Sequence, residues 1–181
     1  VSSVAASLPV SPLAPAAFPA LPVIDGVRFS SVAAGVKYTG RKDVMLAQLD
    51  PGTVVAGVFT RSATRSAPVL DCQAKLGGTS EVGAAILVNA GNSNAFTGRN
   101  GTDAVAAITR VTAQACGVPE TRVFTSSTGV IGEPLPHEKI TTCLNALADS
   151  LAPDTIGDAA KAIMTTDTFP KGSAATLNIG G

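Results

Sequence analysis

At 181 residues, 45% hydrophobic and 14% charged, the chain is long enough for one domain with a buried core and too apolar to be disordered. Lysine plus arginine (13) balance aspartate plus glutamate (13), aromatics make up 4%, and tryptophan is absent. That excludes the basic field and stacking platform of a nucleic-acid binder. No apolar run reaches the roughly 20 residues of a membrane-spanning helix, so no such span is present in the sequence and no membrane partner is expected.

The first 22 residues, "VSSVAASLPVSPLAPAAFPALP", hold no lysine or arginine, and the first arginine is Arg28. A secretory leader wants a positive start and a transit peptide wants arginines, so neither is expected. Pro9, Pro12, Pro15, Pro19 and Pro22 forbid a helix. Residues 1–22 are therefore expected to form an extended arm, over the surface or onto a partner, and residues 23–181 the domain. "DVMLAQLD" (43–50) and "VVAGVFT" (54–60) read as strands separated by the turn pair Pro51-Gly52. "AAILVNA" (84–90) is a continuous apolar run, as in a strand buried on both faces. "GNSNAFTGRNG" follows with loop chemistry, glycines and asparagines that accept positive φ.

Thr102 is expected to cap a helix that runs to about Cys116, with Asp103 in its first turn and Gly117 beyond its end. Val105, Ile108, Val111 and Ala115 form its apolar stripe. "RVFTSS" reads as the next strand. A second helix is expected over about 137–151, with Ile140, Leu144, Leu147 and Leu151 on one face, and a third over about 155–164. "AATLNIGG" reads as a strand and a Gly-Gly turn whose hairpin partner is not in the sequence, so the chain is expected to be one piece of a larger fold. Helices following buried strands make layered α/β the expected class. The low charge points to apolar surface covered by another chain.

The chemistry-bearing residues are few. Cys72, Cys116 and Cys143 are odd in number and lack CxxC spacing, so a disulfide framework or metal site is not expected; small core residues in a reducing cytoplasm are. His137, the only histidine, reads as a surface residue at a helix start. The stretch "TSSTGVIGEPLP" (125–136) reads as a turn after a strand, rich in hydroxyls and backbone donors. It lacks the lysine of a phosphate-binding loop and the G-x-S-x-G of a nucleophile elbow. Donors without a nucleophile or base suit an oxyanion hole whose nucleophile comes from elsewhere, including another chain; a plain structural turn is the alternative.

Four segments in order, "AGVFTRSATRSAPV", "LVNAGNSNAFTGRNG", "FTSSTGVIGEPLP" and "AIMTTDTFPK", resemble the α-subunit of the ornithine acetyltransferase family, the bifunctional glutamate and amino-acid N-acetyltransferases of arginine biosynthesis. The resemblance runs from about Val23 to the last residue. It implies an α/β sandwich whose sheet is completed by a separate β-chain. That β-chain would be released by self-cleavage of one precursor and would carry an N-terminal threonine nucleophile activated by its own amine. It further implies ping-pong transfer of acetyl from N-acetylornithine to glutamate, with acetyl-CoA as a second acetyl donor, no resident cofactor and an α2β2 heterotetramer.

By the same resemblance, Thr128 and Gly129 form the oxyanion hole and Thr165 binds substrate. Thr166 and Asp167 read as helix-end capping residues. Asn89, Asn92 and Asn94 read as loop-fixing residues; Arg61 and Arg65 read as solvated arginines, with facing substrate carboxylates the alternative. The family's lysine-glycine-rich segment and Ala-Thr cleavage site do not occur in the sequence; the chain is expected to be an α-subunit lacking its last stretch. Ala175-Thr176 lies inside the apparent strand, so Thr176 is not taken as the nucleophile. The competing expectations are a self-processing amide hydrolase of the aminopeptidase kind, with water as acceptor, and a non-catalytic scaffold chain.

Overall fold

The computed structural model describes residues 9–180. The expected arm lies partly outside that range; its described part, residues 9–22, has no helix or strand. Ser11 N–H donates to Thr168 Oγ1 at 3.1 Å. The Phe18 ring lies so close to Gly172 that a β-carbon there would stand 2.7 Å from it.

Among the described residues the strands are β1 (Val27–Val32), β2 (Val44–Leu49), β3 (Ala84–Asn92) and β4 (Val123–Val130), in one sheet of order β1-β2-β3-β4. β1 and β2 are antiparallel, as are β2 and β3, while β4 runs parallel to β3. The helices are α1 (Ala67–Lys75), α2 (Gly98–Cys116), α3 (His137–Thr141), α4 (Leu144–Asp149) and α5 (Ile156–Ala162). α2 is the crossover that parallel neighbours require.

Side chains alternate across the sheet. Val44, Leu46, Ala85, Leu87 and Val123 share one core with Ala104 and Ile108 of α2, Ile140 of α3, and Leu144 and Leu147 of α4. Ile140, Leu144 and Leu147 are almost wholly buried, and each contributes about 1.5–3 kcal/mol of transfer free energy holding that layer to the sheet. Ala84, Phe124 and Ile86 point the other way, against Cys72 of α1 and Leu76, Val55 and Phe59. Helices thus cover both faces, which is the layered α/β class.

Several elements differ from expectation. Residues 54–60 form no strand: Val54 is 79% and Val58 99% exposed, and no neighbouring strand offers them a ladder. "AATLNI" is likewise exposed and forms no strand, so the expected terminal hairpin strand is not there. Thr102 lies inside α2, whose N-cap is Thr97. Gly98 and Gly101 belong to the helix despite their low propensity. A β-carbon on Gly101 would stand 2.1 Å from Thr97 Oγ1 and 2.7 Å from Asn94 Oδ1, so only glycine permits this packing. Gly117 ends α2 at φ 65°, as expected.

The helix expected over 137–151 breaks between α3 and α4. There the Thr142 hydroxyl donates to Lys139 O and the Cys143 thiol to Ile140 O, local bonds that compete with the helical ladder. The helix expected over 155–164 is shorter, ending at Ala162. "TSSTG" is not a turn after a strand but the body of β4 itself. Of the cysteines, Cys72 and Cys116 are buried, Cys143 is half-buried, and all three are free. Burial pushes each thiol up from its ordinary value.

Candidate active site

The parallel pair β3–β4 brings two carboxyl ends together, the place where open α/β sheets form ligand crevices. The register pairs Thr128 with Ala90 and Gly129 with Gly91. Thr128 is half-buried and Gly129 exposed. Thr128 is four residues from Phe124, so its side chain leaves the sheet on the α1 face. Gly129 has φ 135°, and a β-carbon there would stand 2.3 Å from Gly91 C and 2.6 Å from Asn92 N. The two backbones are packed flush, which only glycine allows. β4 is paired on one side alone among the described residues, so alternate backbone N–H groups along it face outward.

The asparagines of "NAGNSN" hold this end of the sheet. Ser127 Oγ donates to Asn89 Oδ1 at 2.6 Å, and Asn89 Nδ2 donates to Asn92 O at 2.8 Å. Asn92 Nδ2 donates to Glu133 O, and its Oδ1 accepts the Asn94 N–H at 2.7 Å. Asn94, at φ 48°, donates through Nδ2 to Gly101 O and accepts from Thr97. All three asparagines are buried. They make the side-chain-to-backbone bonds expected of loop-fixing residues.

The connection 33–43 forms the next wall. Buried Asp43 accepts the N–H groups of Ala34 at 2.7 Å, Gly35 at 3.3 Å and Val36 at 2.6 Å. The loop so held lays Lys37 and Tyr38 on Gly91: a β-carbon there would meet Lys37 Cβ at 2.6 Å and Tyr38 Cε2 at 3.2 Å. Lys37 pairs with Glu133 at 2.8 Å, and Lys139 Nζ donates to Gly35 O at 2.7 Å. Sequence reasoning missed Asp43 and Tyr38. The available signal was an acidic residue immediately before an apolar strand, whose charge had to find donors.

Thr165 is half-buried, just beyond α5. Its N–H reaches Asp167 Oδ2 at 3.4 Å, and Asp167 also pairs with Lys171. The Lys171 ammonium, and after it the Thr165 N–H, hold the Asp167 carboxyl below its usual range. Asp167 thus serves the short turn after α5, while Thr166 is exposed. The described contacts do not join Thr165 directly to Thr128 or Gly129. His137 starts α3, with Nε2 3.5 Å from Glu138 Oε1 on the same helix. Arg65 bonds Gln73 at 2.9 Å and edges a cleft of about 320 Å³ with Phe96 and Leu70. Arg61 is exposed. No group of three or more His, Cys, Asp or Glu that could hold a metal occurs among the described residues. None of the described helices is long and apolar enough to cross a membrane.

The rim of the site is apolar and open. Phe96 is 68% and Ile131 62% exposed, on segments joined by Gly132 N–H to Ala95 O at 2.9 Å and Ser93 N–H to Val130 O at 2.9 Å.

The mixed sheet, its helical layers and the glycine-paired strand end define a layered α/β protein with a candidate site at the carboxyl end of a parallel strand pair. The chain superposes on the crystal structure of ornithine acetyltransferase complexed with ornithine from Mycobacterium tuberculosis with a TM-score of 0.75, at 35% identity, over 81% of this chain and 79% of that one. The arginine biosynthesis bifunctional protein ArgJ of Bacillus halodurans gives 0.71 at 31% identity, over 80% and 74%. Residues 28–181 match the ArgJ family, and the chain belongs to it. It is 69% identical over 172 residues to the arginine biosynthesis bifunctional protein ArgJ of Ruegeria pomeroyi, covering 95% of this chain and 42% of that protein. Against the protein of the same name from Nitrobacter winogradskyi it is 51% identical, covering 96% and 42%. The chain therefore spans less than half the length of these curated relatives.

Proposed function

We propose that this chain is the α-part of a self-cleaving, cytoplasmic acetyltransferase that moves acetyl from N-acetylornithine to glutamate, with acetyl-CoA as an alternative donor. The observation that carries the reading is the Thr128–Gly129 strand end, accessible at the carboxyl edge of β4 and packed flush against Gly91. Its support is the family, whose members include proteins named for arginine biosynthesis and one solved with ornithine.

In this reading the nucleophile is the N-terminal threonine of a β-chain from the same precursor. Its hydroxyl oxygen attacks the acetyl carbonyl while its own α-amine takes the proton. The carbonyl oxygen becomes an oxyanion, which accepts from the Thr128 hydroxyl and the Gly129 N–H. Collapse breaks the C–N bond, and the held proton goes to the leaving amine of ornithine. Glutamate's amine then attacks the acyl-threonine through the same oxyanion and gives a proton to the β-chain α-amine; collapse breaks the acyl C–Oγ bond, that proton returns to the threonine oxygen, and N-acetylglutamate leaves. Thr165 binds substrate from the α-chain. The unpaired edge of β4 and the exposed Phe96, Ile131 and Val58 suit burial against the β-chain, in an α2β2 assembly.

The test is isotopic. The full-length protein, given N-acetylornithine labelled in its acetyl group, should pass label to glutamate, and denaturing electrophoresis should resolve a second chain that begins with threonine. Light scattering on the same peak should give the mass of two α and two β chains. Residues 1–181 alone should show no transfer. Label released as acetate would instead identify a hydrolase, and turnover by residues 1–181 alone would overturn the two-chain mechanism.

A further inference from the structure

Two segments assigned to the site, Thr128–Gly129 and Thr165, lie on different elements, and a single loop touches the immediate neighbour of each, Gly91 and Met164. Tyr38 lies on Gly91, the residue against which Gly129 is packed. Arg41 stands over the Tyr38 ring, its guanidinium carbon 4.4 Å from the ring centroid. The same guanidinium donates through Nη2 to the carbonyl of Met164, the residue before Thr165. The loop is anchored at its root by Asp43, which accepts three backbone N–H groups, and at its flank by Lys139 and the Lys37–Glu133 pair. Thr165 is held from the other side by Asp167, which accepts its N–H.

We propose that Tyr38 and Arg41 form a positioning pair that sets the Met164–Thr165 segment at a fixed place relative to the Gly91–Gly129 strand end. The inference rests on the reading of Thr165 as a substrate-binding residue. Arginine suits the task because its planar guanidinium stacks on a ring and donates in its own plane at once. Lysine, a point charge on a flexible stem, cannot hold both contacts in one geometry. Tyr38 contributes its ring face, so its hydroxyl is dispensable. Arg41 touches no reacting atom in this scheme and acts through the Met164 carbonyl.

The experiment uses the full-length, self-processed enzyme and a kinetic double-mutant cycle. Arg41→Ala and Arg41→Lys should each raise KM for N-acetylornithine by about tenfold or more, the scale of one charge-assisted hydrogen bond, with kcat changed far less. Thr165→Ala should raise KM too. The Arg41→Ala/Thr165→Ala double variant should be no worse than the worse single, because both changes remove one placement. Tyr38→Phe should match the wild type, and Tyr38→Leu should match Arg41→Ala. Should Arg41→Ala fail to fold, Arg41→Lys and the two Tyr38 variants decide the matter with the melting temperature held near wild type. An impaired Thr165→Ala beside wild-type KM in the Arg41 variants, or strictly additive effects, overturns the positioning pair and leaves the acetyltransferase reading intact. A silent Thr165→Ala overturns the assignment of Thr165 and the pair with it.

Discussion

Gly129 and Gly91 meet backbone to backbone across the parallel β3–β4 ladder, with room for no side chain between them: a β-carbon on Gly129 would fall 2.3 Å from the carbonyl carbon of Gly91. Gly129→Ala adds that clash to the strain of φ 135°. Its cost is expected at about 1–3 kcal/mol of stability, from strain and overpacking together. Chemical denaturation of the full-length protein measures it. Stability unchanged from wild type would show that the strand end yields easily.

Thr128 is expected to act in the transition state. Thr128→Ala in the full-length enzyme should lower kcat by roughly 10²–10³ and leave KM nearly unchanged, as for other oxyanion donors. Steady-state kinetics of both half-reactions measure this. A normal kcat with a raised KM would make Thr128 a ground-state binding residue.

Asp43 is buried and accepts three backbone N–H groups from the start of the 33–43 loop. Asp43→Ala leaves those donors without their carboxylate. A loss of about 1.5–3 kcal/mol in stability is expected, the range for bonds to a charged group. Because this loop rests on Gly91, activity should fall further than stability alone explains. Melting curves and kcat/KM measured on the same preparation separate the two effects.

The sequence-level reading succeeded where pattern and burial agreed. β3 opens on an uninterrupted apolar run, Ala84 to Val88, and α2 carries one apolar stripe ending at a left-handed glycine. It failed where a pattern lacked a partner. Residues 54–60 and "AATLNI" have strand-like composition, but a strand exists only beside another strand, and neither finds one among the described residues. β1 was overlooked although Val27, Phe29 and Ser31 alternate with Arg28 and Ser30, because two serines blunt the apolar signal. α1 was overlooked although Ser66 precedes it and Pro68 occupies its first turn, a common helix start. Thr128 and Gly129 could be singled out by resemblance. The flush contact that requires Gly129, and the loop from Asp43 to Arg41 that braces it, depend on residues far apart in the chain, which no local pattern encodes.

Asp167 gives a pH dependence of known sign. Its carboxyl is held below the ordinary range by Lys171 and then by the Thr165 N–H. A carboxyl with a lowered folded pKa contributes fully above its unfolded value, about 3.9, and the contribution vanishes as pH falls through the folded value. Its side chain is 41% exposed, so solvent screening limits the effect to at most about 1 kcal/mol. Wild type and Asp167→Asn should therefore differ slightly in stability near neutral pH and converge in acid. A gap that widens in acid would contradict the assignment.

The glycine pair also has a cost in entropy. Glycine surrenders more backbone freedom on ordering than any other residue, by roughly 0.5–1 kcal/mol against alanine. With glycines facing each other on the upper rung Gly91↔Gly129 and alanine facing valine on the lower rung Ala85↔Val123, the ladder should be cheapest to open at the end that carries the proposed site. Local opening then runs from the tip inward. Amide protons along β4 should exchange with solvent fastest near Val130 and slowest near Val123, so the proposed oxyanion donors breathe first when no partner covers them.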